Sequence, residues 1–457
     1  MKFVLLLAAC PAILAQPKKV TYDDDVKPIV TRRCMPCHNA SEARASLSLD
    51  TYAGVMKGGG SGDIVKPGRP AASVLYLAVA HEGTGVPRMP LNGAKLPEGD
   101  IAIIREFIQQ GILENASSQP KGSVMPSLDF RPVAKPPTVT AEPTSLPPFT
   151  LPEPPRAHPV TALAASPWAP IVAVAGHGRI HLYDTNTRAS IGVLPFPEGT
   201  PFVLRFSRDG VKLIAAGGKG VQSGSVVVFD IATGKRITAV GSERDIVAAA
   251  DISPDGKLIA LGGPSKVVKV FSTEDGKLIY EIKKHTDWIT ALEFSPDGTR
   301  LATGDRAGGI YLWESGNGGI LLALAEHKDA VLSLSWRPDS RLLASGGEDG
   351  ELVVWDPLDG FPVTTDTKGH VPAAKGTVYG NASSGVLSVH YLNDGRLVSI
   401  GRDRVIHLWN SQGKPATVST PANVMLIKVT SSFDSKFVIA GDYEGNLLYW
   451  DGKKLVP

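Results

Sequence analysis

Cys34-Met35-Pro36-Cys37-His38 places two thiols three residues apart and an imidazole directly after them. That spacing suits two thioether bonds to one porphyrin edge, with the histidine on its iron. With 3 Cys and 10 His in 457 residues, chance supplies roughly 0.0004 such pentapeptides, so the pattern is informative. Two other chemistries use C-x-x-C. A structural zinc asks for about four ligands, yet the third cysteine, Cys10, sits in an apolar N-terminal stretch. A redox dithiol belongs to a βαβ context, whereas a helix-like segment precedes this motif and Gly-rich sequence comes after it. The context favours one covalently attached haem c, anchored by Cys34 and Cys37 with His38 on the iron, over zinc and dithiol.

Working outward, Asp23-Asp24-Asp25 stand before Val26, Ile29 and Val30, with Pro28 in the opening turn. Acids and an early proline favour a helix start, so the pattern predicts a helix that delivers Cys34 at its C-terminal end. Ile101, Ile104, Phe107 and Ile108 recur at helical spacing between Pro97 and Gly111, which predicts an amphipathic helix of three to four turns. Two terminal helices beside a haem, joined by irregular loops, make a small all-α cytochrome c fold over residues 17–115. The run Gly58-Gly59-Gly60-Ser61-Gly62 lacks the Gly-Lys-Ser/Thr of a phosphate loop and reads as a flexible loop near the cofactor.

A sixth iron ligand must come from Met35, Met56, His81 or Met89. Met35 lies inside the attachment motif and cannot wrap to the opposite face. Met89, in Arg88-Met89-Pro90 just before the last helix, is where a loop could present a thioether; Met56 and His81 stay open. These residues carry a resemblance. Asp25-Val26, Pro28-Ile29, the attachment motif, the glycine run through Ile64-Val65-Lys66-Pro67-Gly68-Arg69-Pro70, Ser73, Leu75 and Met89-Pro90 are similar to the planctomycete-type cytochrome c domain. The resemblance covers about a fifth of the chain and implies His38 and Met89 as axial ligands. Phe107-Ile108 stands where that family often has Trp-Ile.

Met1-Lys2, the apolar run Phe3–Leu14 and Ala15-Gln16 read as a signal peptide over 1–16. Leu7-Ala8-Ala9-Cys10 also resembles a lipobox, which would leave a lipid anchor on Cys10. Export to the periplasm or beyond is expected, and no later segment holds the 18 or so apolar residues of a transmembrane segment. Net charge +2 with 20% charged residues argues against nucleic acid as a partner.

Eleven of the 36 prolines fall within 116–157, marking a semi-rigid linker, part of which could lie against the domain after it. Beyond it, over 158–457, an aromatic followed by a small or polar residue recurs at Tyr183, Phe229, Phe271, Trp313, Trp355, Trp409 and Trp450, at spacings of 46, 42, 42, 42, 54 and 41. A period near 42 with Pro-Asp-Gly or Asn-Asp-Gly turns between apolar runs predicts seven four-stranded blades, an all-β propeller. This resembles the WD40 family. By that resemblance His327, Ser345, Asp349 and Trp355 form the polar tetrad of the fifth blade. The sixth keeps Ser399, Asp403 and Trp409 with His370 displaced by an insertion. The fourth has His285, Thr303 and Trp313, but Ala307 replaces the acid. These residues fall at the repeat period, so they read as structural rather than metal-binding. The Gly/Ala/Ser-rich loop between His370 and Val386 is a candidate contact site.

The expected function is electron transfer with redox partner proteins, the propeller docking a protein partner. A redox enzyme with a second cofactor in the propeller is the alternative, disfavoured because no His, Asp or Glu cluster stands outside the repeat pattern. A haem-based sensor, marked by loss of Met89 ligation, is another.

Overall fold

The computed structural model describes residues 19–60, 62–70, 73–82, 86–91, 93–118, 130–133, 142–143, 146, 158–366, 370 and 385–456. The expected signal peptide, Cys10 and most of the loop between His370 and Val386 lie outside the described residues. The chain divides into two compact units, residues 1–127 and 128–457.

In the first unit Thr21 caps the helical start. Its Oγ1 accepts the Asp24 N–H at 3.2 Å and its own N–H donates to Asp25 Oδ2 at 3.0 Å, satisfying groups that have no partner within a helix. One wide turn, Tyr22–Val26, leads into α1, Lys27–Arg33, with Pro28 in its first turn. Among the described residues a short 3-10 turn, Arg44–Ser46, and three further α-helices come next: α2 (Tyr52–Lys57), α3 (Val74–Ala80) and α4 (Glu98–Gln109). Helix α4 buries Ile101, Ile104, Phe107 and Ile108, the residues whose spacing predicts it. They share one core with Val26, Ile29 and Val30. The start of the unit is tied to its end, Tyr22 N–H donating to Leu113 O at 2.7 Å and Asp23 N–H to Glu114 O at 3.0 Å.

The second unit holds seven antiparallel sheets, each of four strands in chain order, spanning 163–195, 200–243, 249–282, 289–324, 331–366, 386–418 and 426–456. Each innermost strand packs against the next and that of blade seven against that of blade one, closing a ring. Every blade is contiguous in sequence, so no shared strand closes it. Closure comes from Val160, Leu163, Val172 and Val174 packing on Ile439 and Tyr449, from Val160 N–H donating to Asp442 O at 3.1 Å, and from the Arg188 guanidinium over the Tyr449 ring at 4.6 Å. Described residues in the later part of the proline-rich segment pack within this unit: Leu146 lies on the core of blade one, and Arg131 N–H donates to Asp339 Oδ2 at 3.3 Å.

Blades four, five and six each centre on one buried hydroxyl. In blade five His327 Nε2 lies 2.7 Å from Ser345 Oγ, its Nδ1 3.0 Å from Asp349, and the Trp355 indole donates to Ser345 at 2.8 Å. Blade six repeats this with His370, Asp403, Ser399 and Trp409 at 2.8, 3.0 and 2.8 Å, so the insertion does not displace His370. Blade four corrects the sequence reading. Asp305, two residues before Ala307, supplies the acid to His285 at 2.8 Å, and Thr303 joins His285 at 2.7 Å and the Trp313 indole at 2.8 Å. Where those blades carry the hydroxyl, blades one, two, three and seven carry Val174, Ala215, Leu261 and Ala440, all buried, and are held by apolar packing instead.

Ser345→Ala leaves His327 Nε2 and the Trp355 indole N–H without a partner while His327 Nδ1 keeps Asp349, and stranded buried polar groups cost about 1–3 kcal/mol. Denaturant unfolding followed by tryptophan fluorescence should show a loss of that size, with little change for the exposed Ser117→Ala.

Candidate functional site

Helix α1 ends at Cys34, whose N–H donates to Val30 O at 2.8 Å. Its carbonyl then accepts two hydrogen bonds, from Cys37 N–H at 3.1 Å and His38 N–H at 3.0 Å. One further helical turn therefore brackets both thiols and the imidazole. Asn39 locks the exit from this turn, its Nδ2 donating to Met35 O at 2.7 Å and its Oδ1 accepting Ser41 N–H at 2.8 Å and Glu42 N–H at 2.9 Å. His38 O accepts the Leu49 N–H at 2.8 Å, and Leu49 O accepts the buried Tyr22 hydroxyl at 2.7 Å. Burial, with Asp50 and Asp23 nearby, pushes that phenol up to about 12, so it stays a donor.

The glycine run forms a closed turn rather than a loose loop. Gly59 and Gly62 exchange backbone hydrogen bonds at 3.0 Å, and Gly60 N–H donates to Ala45 O at 2.7 Å. Gly58 has φ +74°, and a Cβ there would strike the Gly62 backbone, so only glycine fits.

The four candidate sixth ligands separate by environment. Met35 and Met56 pack against the apolar core. His81 ends α3 at φ +56°, and its Nε2 lies 3.0 Å from Met89 O. Met89 N–H donates to Ala78 O at 2.9 Å. The end of α3 thus holds Met89 at both backbone polar groups, and His81 acts as its support.

These donors suit a haem. Burial pushes the Cys34 thiol up to about 11, the opposite of the lowered thiol that a redox dithiol needs. His38 Nδ1 is buried without a hydrogen-bond partner among the described residues, so the ring is not committed to the protein at that nitrogen. Two thiols, an imidazole and a methionine whose backbone is braced separately are the donor types of haem ligation; a zinc site of the usual kind would want more nitrogen or sulfur donors.

Residues 34–90 match the family model Planctomycete cytochrome C, and residues 276–314, 318–356 and 374–410 match the WD domain, G-beta repeat. The chain joins a planctomycete-type cytochrome c domain to a WD40-repeat propeller. No curated protein matches it. The cytochrome c match runs from the first motif cysteine to Pro90, spanning Cys34, Cys37, His38 and Met89. The first two WD40 matches each begin on the outermost strand of one blade and take the three inner strands of the next. The matches fall on blades four, five and six, which carry the polar tetrads.

The WD40 propeller also holds what the sequence did not reveal. Innermost strands contribute Arg205 (Thr200–Phe206), Asp251 (Ala249–Ile252), Glu293 (Ile289–Phe294), Ser335 (Val331–Trp336), His390 (Val386–Tyr391) and Thr430 (Leu426–Ser431) at equivalent register positions, a polar ring within the channel. Arg205 and Arg208 lie 3.5 and 3.4 Å from Glu293. Burial holds Asp251 and Glu293 above the usual carboxylate range, against the pull of both arginines. Burial and the same arginines depress His390 to about 3. A cluster therefore exists outside the tetrads, contrary to the sequence expectation; its members recur at the repeat spacing, 46, 42, 42, 55 and 40 residues apart, but each repeat carries a different residue type there, so no shared motif announces it. His370, Asp403 and His407 also place ligand-type atoms within 4.8 Å of one another, but both His370 nitrogens are already engaged by Ser399 and Asp403.

Asn39→Ala should loosen the cysteine turn and lower the stability of the cytochrome c domain by about 1 kcal/mol, read by thermal unfolding of the haem-loaded chain. In the propeller, His390 stays neutral when folded but takes up a proton below about 6.5 when unfolded. Its contribution is therefore fully present above pH 6.5 and is lost as pH falls from there towards 3, at up to about 1.4 kcal/mol per pH unit. Urea titrations of wild type and His390→Asn should differ in pH dependence across that window, the variant losing less on acidification.

Proposed function

We propose that the protein is an exported c-type cytochrome that transfers electrons through one haem bound covalently at Cys34 and Cys37, with His38 and Met89 as axial ligands. The observation that carries this reading is the braced pair of segments: the Cys34–His38 turn closed on the Cys34 carbonyl, and Met89 held at its N–H by Ala78 and at its carbonyl by His81. Bound there, the haem supplies one-electron chemistry, and a His/Met ligand pair raises its potential. The polypeptide would hold the group through these residues, with Cys34 packing against the apolar core of the domain.

In this reading the WD40 propeller is the docking scaffold for a protein partner. The outermost strands of blades three and four expose Leu278, Ile279, Ile320 and Leu321; exposed apolar groups of this kind suit a protein contact. No helix among the described residues is long and apolar enough to cross a membrane. Periplasmic or secreted placement rests on the leader-like residues 1–16, with lipidation of Cys10 as the variant form.

The test is the absorption spectrum of the protein exported with haem-maturation machinery, oxidised and reduced, beside Met89→Ala. A near-infrared band from a thioether on ferric iron should be present in wild type and absent in the variant, whose reduction potential should fall. A band that survives in Met89→Ala would assign the sixth ligand elsewhere.

A further inference from the structure

The channel has a second layer, two residues before the polar ring on each innermost strand. Lys428 on blade seven is its one charged member, among Ala249, Ala291, Ser333 and Ser388. Lys428 and Arg205 both line a cavity of about 120 Å³, and no Asp or Glu is among its lining residues. Arg205 has Glu293 at 3.5 Å on its other side. The Lys428 ammonium makes no hydrogen bond or ion pair among the described residues, and burial, followed by the charge of Arg205, depresses it to about 8.

Two cations facing one small cavity without a carboxylate are mutually repulsive, and a bound anion relieves both the repulsion and the desolvation. Neutral donors surround them. Ser388 Oγ accepts the Val429 N–H at 3.4 Å and keeps its own proton to donate, and Thr430 lines the same cavity. His390, being neutral, adds a hydrogen-bonding nitrogen without adding charge. The cavity has room for a few waters, the size of a small ion rather than of a peptide.

We propose that the propeller channel binds a small oxyanion, of phosphate or carboxylate type, through Lys428 and Arg205, with Ser388 and Thr430 as hydrogen-bond donors. Arg205 is shared between this site and the Glu293 pair, so the anion is held against a cation already fixed in direction. Ligand binding to the folded state alone raises its stability by mass action, so occupancy is readable without knowing the natural ligand.

The experiment is thermal unfolding of the full haem-loaded chain, with the propeller followed by tryptophan fluorescence, titrated with inorganic phosphate, with malonate and with sodium chloride at matched ionic strength. The expected result is a saturable upward shift with phosphate, malonate or both that chloride does not reproduce, and which of the two acts identifies the oxyanion. Lys428→Met should remove the shift and Lys428→Arg should keep it, Lys428→Arg serving also as the control that the fold tolerates change at this position. A shift matched by chloride, a shift undiminished in Lys428→Met, or no shift with either oxyanion would overturn the site.

Discussion

One carbonyl organises the cytochrome c domain. Cys34 O accepts from both Cys37 and His38, and that double acceptance fixes Cys34, Cys37 and His38 as a unit at the end of α1. The rest of the domain steadies this turn. The Tyr22 hydroxyl holds Leu49, and Leu49 holds His38, so a buried side chain at the start of the helical stretch reaches His38 through two hydrogen bonds. Tyr22 is itself fixed by its backbone bond to Leu113, which brings the end of the domain into the same chain of support. Buried polar groups are costly when unpaired. His38 Nδ1, buried without a hydrogen-bond partner among the described residues, therefore sets this imidazole apart from the three tetrad histidines, whose ring nitrogens are all engaged.

The propeller solves a different problem with the same rule. Three blades commit one buried hydroxyl each to a histidine and an indole, and the remaining four bury alkyl groups at that position. The two solutions coexist because a blade can be held by a saturated polar network or by close packing, and only a half-satisfied network is unfavourable. The channel departs from both. Charges gather there because Arg205, Asp251, Glu293 and His390 hold equivalent positions on the innermost strands of their blades.

Much of this was legible in the residues themselves. The attachment motif and the Ile101, Ile104, Phe107, Ile108 stripe announce the helical domain because periodicity and spacing are local properties. Trp313, Trp355 and Trp409 announce the blades for the same reason. Blades one to three hide better, since Val174, Ala215 and Leu261 replace the hydroxyl with residues any strand could carry. Asp305 is hidden in sequence because the family's acid sits in the turn, at the position Ala307 holds, whereas strand pairing of Ile289 with Asp305 places this side chain within reach of His285. The channel cluster was illegible for a deeper reason. Arg205, Asp251, Glu293, His390 and Lys428 come from five different repeats, and only the closed ring brings them together.

The most direct check on the central claim is the intact mass, under denaturing conditions, of the chain produced with haem-maturation machinery, together with its Cys34→Ala/Cys37→Ala variant. The account predicts the polypeptide plus one haem for wild type and the bare polypeptide for the variant. A wild-type mass equal to that of the polypeptide alone would contradict it.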